Sequence, residues 1–179
     1  MNRRDFVKNA GRLTALGLLA TSTVAGAAGA NEKTVVDEGF KVPDKAWVYF
    51  KDMMGYSNKE LEMFKKHPAT LKFIRRIGDF AKYTAVYEVV ESKNCLSRQK
   101  VGDKYYAPGA INLNLKQGTD KICPYLLPPI TRMAWNIFER IVEGLDPLPL
   151  FDHGQCDDVG VMCGGWGRVV IKVSMVENK

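Results

Sequence analysis

The sequence predicts an α+β fold: a small antiparallel sheet packed against one long helix, with a short N-terminal helical cap. Three observations point there. Tyr83 to Glu91 is rich in β-branched and aromatic residues, and Val169, Ile171, Val173 and Met175 recur at every second position near the C-terminus. Ile130, Met133, Ile137 and Ile141 recur instead at helical spacing. Ahead of the first strand pattern come three short helical ones, and no internal repeat interrupts the chain.

Residues 1–30 read as a twin-arginine signal peptide. Arg3 and Arg4 stand in a charged start, a mildly apolar run covers Leu13 to Val24, and Ala28-Gly29-Ala30 is a small-x-small cleavage pattern. The run is too short, and too rich in Gly, Ala and Thr, for a stable membrane span of about 20 apolar residues. The expected mature chain is 31–179, enough for one domain with its own core. Losing four basic residues (Arg3, Arg4, Lys8, Arg12) and one acid (Asp5) lowers the net charge from +6 to +3. That balance is too weak and too evenly spread to point to nucleic acid.

Residues 31–43 form a polar leader, and 44–82 an N-terminal helical region. Asp44 is the expected N-cap of a helix to Met54, with Trp47, Phe50 and Met54 on one face. Ser57-Asn-Lys-Glu60 is a capping box for a helix to Lys66, with Leu61 and Phe64 together. His67 is expected to cap that helix, and Pro68 to open the next, where Leu71, Ile74, Ile77 and Phe80 make a stripe.

The core, 83–179, starts with the strand at 83–91. A loop through Cys95 leads to the turn Lys100-Val-Gly-Asp103 and a strand at 104–107. Ile111, Leu113 and Leu115 alternate with polar residues and predict another strand at 111–115. The long helix is expected over 129–143, with Ile130, Met133, Ala134, Ile137, Phe138 and Ile141 buried and Gly144 at C′. A last strand covers 168–176.

Unusual chemistry concentrates in residues 153–167, which hold His153, Cys156, Cys163, two aspartates and five glycines. Cys95, Cys123, Cys156 and Cys163, with His153 as an alternate ligand, form a candidate site for a metal ion or iron–sulfur cluster. The spacing Cys156-x6-Cys163 is looser than a zinc ribbon or ferredoxin pattern. The same four cysteines can instead make two disulfides after export. A third option is nucleophilic or redox chemistry, for which Cys123 is best placed, since a helix N-terminus favours a thiolate. Asp157 and Asp158 read as a solvated turn. Gly164-Gly165-Trp166-Gly167 lacks the lysine and helix of a phosphate loop, so it reads as a tight turn whose tryptophan packs on the sheet or walls a ligand pocket. No Ser-His-Asp order, paired carboxylate set or dinucleotide fingerprint stands out.

Several of these features together resemble a largely uncharacterised family of small prokaryotic cysteine-containing α+β domains. They are Glu88-Val-Val-Glu91 leading to Cys95, Lys100-Val-Gly-Asp103, Ile122-Cys123-Pro124 before a helix, and Cys156 before a C-terminal strand. Residues 55–64 and 158–167 are similar to a Tat-exported branch of it, and the resemblance covers 55–176. It implies that Cys95, Cys123 and Cys156 act as one set, with Cys163 an addition of the branch. It also implies a histidine at the position of Gln99, so one potential metal ligand is missing here.

The functional expectation is a periplasmic protein, exported by the Tat translocase, whose cysteines form a metal or redox site serving an oxidoreductase or electron-transfer system. The alternative is a disulfide-stabilised accessory subunit carried out with a partner enzyme. Replacing both Arg3 and Arg4 by lysine is expected to hold the protein in the cytoplasm. Cell fractionation checks this, and unchanged export would remove the twin-arginine reading.

Overall fold

The computed structural model describes residues 41–178, which fall into two units divided between Gly78 and Asp79. The signal peptide expected at 1–30 and nearly all of the leader lie outside the described residues.

In the first unit, helix α1 spans Asp44–Met54. Its N-cap is Pro43, without a side-chain cap, so Asp44 stands in the first turn rather than before it. Trp47 and Phe50 are buried as expected, but Met54 is exposed. Met53 joins the cluster around Phe50 and Ile77 in its place. Helix α2, Asn58–Lys66, opens on the expected capping box. The Glu60 amide donates to Ser57 Oγ (3.3 Å), and the Ser57 amide donates to Glu60 Oε2 (2.8 Å). Phe64 stacks on Phe50 with centroids 4.9 Å apart and meets Trp47 edge-on at 6.4 Å. Helix α3, Pro68–Arg76, starts directly on the proline, and His67 serves both helices. It ends α2, and its Nδ1 accepts from the Ala69 amide at 3.3 Å.

The second unit is α+β. A 3-10 turn at Asp79–Lys82 leads into strand β1, Tyr83–Lys93, followed by β2, Lys104–Pro108. After helix α4, Leu127–Val142, come the short β3, His153–Gln155, and β4, Arg168–Glu177. All neighbours are antiparallel, in the order β2-β1-β4-β3. Between Val89 and Glu91 the β1–β4 register shifts, so Val90 is an extra residue. Ala85, Tyr87, Val89, Tyr105, Ala107, Val169, Ile171 and Val173 are buried, as are Ile130, Met133, Ile137 and Ile141 of α4. The helix lies close against the sheet edge: a methyl group on Gly154 would strike Met133 and Pro129.

The strand expected at 111–115 is absent. Gly109 and Ala110 both take positive φ, +63° and +55°, which turns the chain off the sheet as soon as β2 ends. The Asn114 amide then donates to the Tyr106 carbonyl (2.7 Å), while its side chain accepts from the Lys116 amide (3.2 Å). Ile111 and Leu115 are exposed, so their alternation marks no buried face. The helix begins at Leu127, two residues earlier than expected, behind a 3-10 turn at Pro124–Leu126. Among the described residues no helix is long and apolar enough to cross a membrane.

Tyr87, fully buried, has no hydrogen-bond partner for its hydroxyl, and burial pushes that phenol well above its usual range. Tyr87→Phe removes an unsatisfied buried oxygen and keeps the ring. It is expected to stabilise the fold by about 1 kcal/mol in chemical denaturation; a loss of stability would mean that the hydroxyl is partnered.

Candidate functional site

Three of the four cysteines meet at one cleft, each arriving on a different segment. Cys95 follows β1, Cys123 precedes the 3-10 turn that leads to α4, and Cys156 follows β3. The cleft holds about 40 Å³, space for a few water-sized occupants at most. Leu96, Tyr125 and Trp166 stand exposed around it, with the buried side chain of Gln99 also in its wall.

The three sulfurs have different surroundings. Cys156 is buried and tied to β4 twice. Its amide donates to the Val169 carbonyl (2.9 Å), and its Sγ accepts from the Val169 amide at 3.3 Å. Cys95 and Cys123 are half-exposed, and all three are free thiols. Cys123 is the N-cap of the 3-10 turn, with no side-chain capping bond. Both half-exposed cysteines lie near the Tyr105 phenol, which is pushed up to about 12, mainly by burial, then by Asp103, Cys123 and Cys95.

Cys163 and His153 stand apart from this cleft. Cys163 is exposed at the end of a 3-10 turn, Val161–Cys163. His153 is exposed on β3, opposite Lys172, with Nδ1 2.6 Å from Asp152 Oδ1. The hydrogen bond to His153, more than the charge of Lys172, holds the Asp152 carboxyl below its usual range. The five expected metal ligands are therefore divided three to two. Among the described residues, no three His, Cys, Asp or Glu side chains stand close enough together to hold an ion. Nor does the cleft offer the four thiolates that a typical iron–sulfur cluster takes.

Asp158 has a larger part than a solvated turn residue. It accepts from the amides of Gly160 (2.8 Å) and Trp166 (3.0 Å), closing the loop 158–166 on itself. These bonds, with one from Gly167, hold its carboxyl below the usual range, the Gly160 bond contributing most. The glycines follow from this closure. A side chain on Gly165 would overlap Asp158 Oδ1 and the Gly160 amide, and one on Gly167 would run into the Lys93 and Asn94 carbonyls. Trp166 is thus held at the cleft with an exposed ring, not packed into the sheet. Asp157 faces Arg132 at 4.0 Å.

Sequence reasoning overlooked Tyr105 as part of the site and noticed Gln99 only as the place of a missing ligand. The only signal for Tyr105 was its place in an apolar strand, and Gln99 lies in a loop without periodicity.

Compared with family models, with curated proteins and with solved structures, the chain finds no match.

The Asp158 clamp has a pH dependence of definite sign. Its folded-state value lies below that of an unfolded Asp, about 3.9, so it stabilises the loop above about pH 4 and ceases to do so as pH falls through the folded value. The Trp166 emission, isolated as the difference from Trp166→Phe, is expected to shift as the loop opens in acid. Asp158→Ala should show the opened signal at neutral pH; wild-type emission in that variant would rule the clamp out.

Proposed function

We propose that the chain is an exported small protein whose cleft cysteines exchange disulfides with a periplasmic oxidoreductase or electron-transfer partner. The observation that carries this reading is the gathering of Cys95, Cys123 and Cys156, as free thiols, on one small cleft. The family resemblance groups the same three and sets Cys163 apart. Two structural disulfides would need Cys163 to pair with a cleft cysteine, yet it is exposed on a loop outside the cleft. Among the described residues the expected metal ligands are not gathered as donors to one ion.

The chemistry balances without a bound cofactor. The thiolate of one half-exposed cysteine attacks a sulfur of the partner's disulfide, forming a mixed disulfide and releasing one partner thiolate. The second half-exposed cysteine loses its proton and attacks the mixed disulfide. Cys95 and Cys123 end joined, the partner leaves with two thiols, and the electron pair has moved to it. Run backwards, the same steps oxidise the partner. Cys156, buried and bonded to Val169, is the least accessible of the three. Reduced on folding in the cytoplasm, the pair would meet an oxidising compartment only after export.

Two measurements on the purified full chain decide the matter. Equilibration in a graded thiol–disulfide buffer is expected to form one disulfide, mapped by mass spectrometry to Cys95 and Cys123, and to lose it in Cys95→Ser or Cys123→Ser. Cys163→Ser should leave it intact. Four thiols unchanged across the whole buffer range, or stoichiometric metal in protein folded in the cytoplasm, would overturn the proposal.

A further inference from the structure

Cys95 and Cys123 sit on segments that belong to no helix or strand, so no ladder fixes the space between them. Side chains behind the cleft make the connection instead. Gln99, four residues after Cys95, is buried, and its Nε2 donates to the carbonyl of Lys121, two residues before Cys123, at 3.4 Å. The Tyr105 hydroxyl lies between the two segments, beside the Gln99 amide oxygen and 3.1 Å from the same Lys121 carbonyl. On the other side, the Ser92 hydroxyl donates to the Gln99 carbonyl at 2.6 Å, anchoring the loop to the end of β1. Tyr105 itself belongs to β2 and is buried opposite Tyr87 of β1. The bridge therefore rests on the rigid part of the unit.

We infer that Tyr105 and Gln99 are positioning residues that set the separation of the Cys95 and Cys123 thiols, and with it the ease of joining them. The inference rests on the dithiol reading of the cleft. A disulfide requires the two α-carbons to lie within about 4.4–6.8 Å of each other, so a small shift of either loop bears directly on closure. Tyr105 carries a single proton and faces two acceptors, and donating to either one holds a different segment. The hydroxyl is thus shared between the segment carrying Cys123 and the loop carrying Cys95. That makes it the natural point from which their spacing is controlled.

Tyr105→Phe keeps the ring in the core and deletes only the bridging oxygen. In the thiol–disulfide buffer its Cys95–Cys123 equilibrium constant is expected to move by about fivefold, the worth of one hydrogen bond. Alkylation of the native protein should change in rate at Cys95 and Cys123 by a similar factor and stay constant at Cys156, which another contact holds. Gln99→Met, of matching length without the amide, is the second variant should the first fold poorly, and its expected pattern is the same. Wild-type rates at Cys95 and Cys123, or an equal change at all three cysteines, would overturn the positioning role. A wild-type protein that forms no disulfide would instead remove the exchange reading, and the alkylation pattern would still decide whether these two residues place the thiols.

Discussion

The antiparallel pairing of β1 with β4 is the constraint on which the candidate site depends. It runs from Tyr83 opposite Glu177 to Lys93 opposite Arg168, and the cleft forms where it stops. At that end Gly167 must pass beneath the Lys93 and Asn94 carbonyls, which leaves no room for a side chain. Two residues on, Val169 takes Cys156 in both directions through its amide and carbonyl. Cys95 is released from the other strand of the same ladder two residues past Lys93. Glu91 and Arg168, ion-paired across the strands, close the corner. Cys123 is brought in separately, by the turn ahead of α4, where the Tyr125 carbonyl accepts from the Asp157 amide at 3.0 Å. One cysteine is thus fixed to the ladder, and two arrive on loops beside it.

Much of this was legible in the sequence, and the part that was not has specific physical causes. β1, β4 and α4 were readable because each buries a face, and burial leaves a period in the residue order. The capping box at Ser57 and Glu60 was readable because it is local, with both partners within one turn. The false strand at 111–115 had the period but not the burial. A left-handed pair, Gly109 and Ala110, diverts the chain there, and Ala110 gives no warning of its positive φ. The three-residue β3 was too short to carry a pattern. Asp158 was underrated because a hydrogen bond from a backbone amide eight residues away has no sequence signature, whereas of the two places open to Trp166, the sheet or the wall of a pocket, it takes the second. The convergence of the cysteines could be proposed, since it needs only topology; residue spacing gave no reason to set Cys163 apart, and only the family resemblance did so. Its place outside the cleft depends on how the glycine loop folds back on Asp158, leaving Val161–Cys163 on its outer side.

The same division between ladder and loops bears on the chemistry. A thiol pair that must open and close during turnover cannot be seated on two central strands, because each cycle would strain the ladder. Here the sulfur attached to the sheet is Cys156, the buried one, and the pair that the proposal assigns to exchange is carried by 94–99 and 120–123, the latter beyond the last backbone bond to β2, from the Thr119 amide to the Lys104 carbonyl (2.8 Å). The motion needed for closure is therefore confined to two short segments, and the buried core around Tyr87, Ile171 and Val173 is spared. Confinement has a cost: loops free to move are also free to drift, and a dithiol whose sulfurs drift loses the proximity that makes ring closure favourable. A hydrogen-bonded bridge anchored in β2 answers that need without making the loops rigid. Gln99 gives way under modest strain, since a side-chain amide is worth about one hydrogen bond. Under the exchange proposal the buried amide then has a physical reason to be there, as the adjustable link between a fixed sheet and the two loops that carry the thiols.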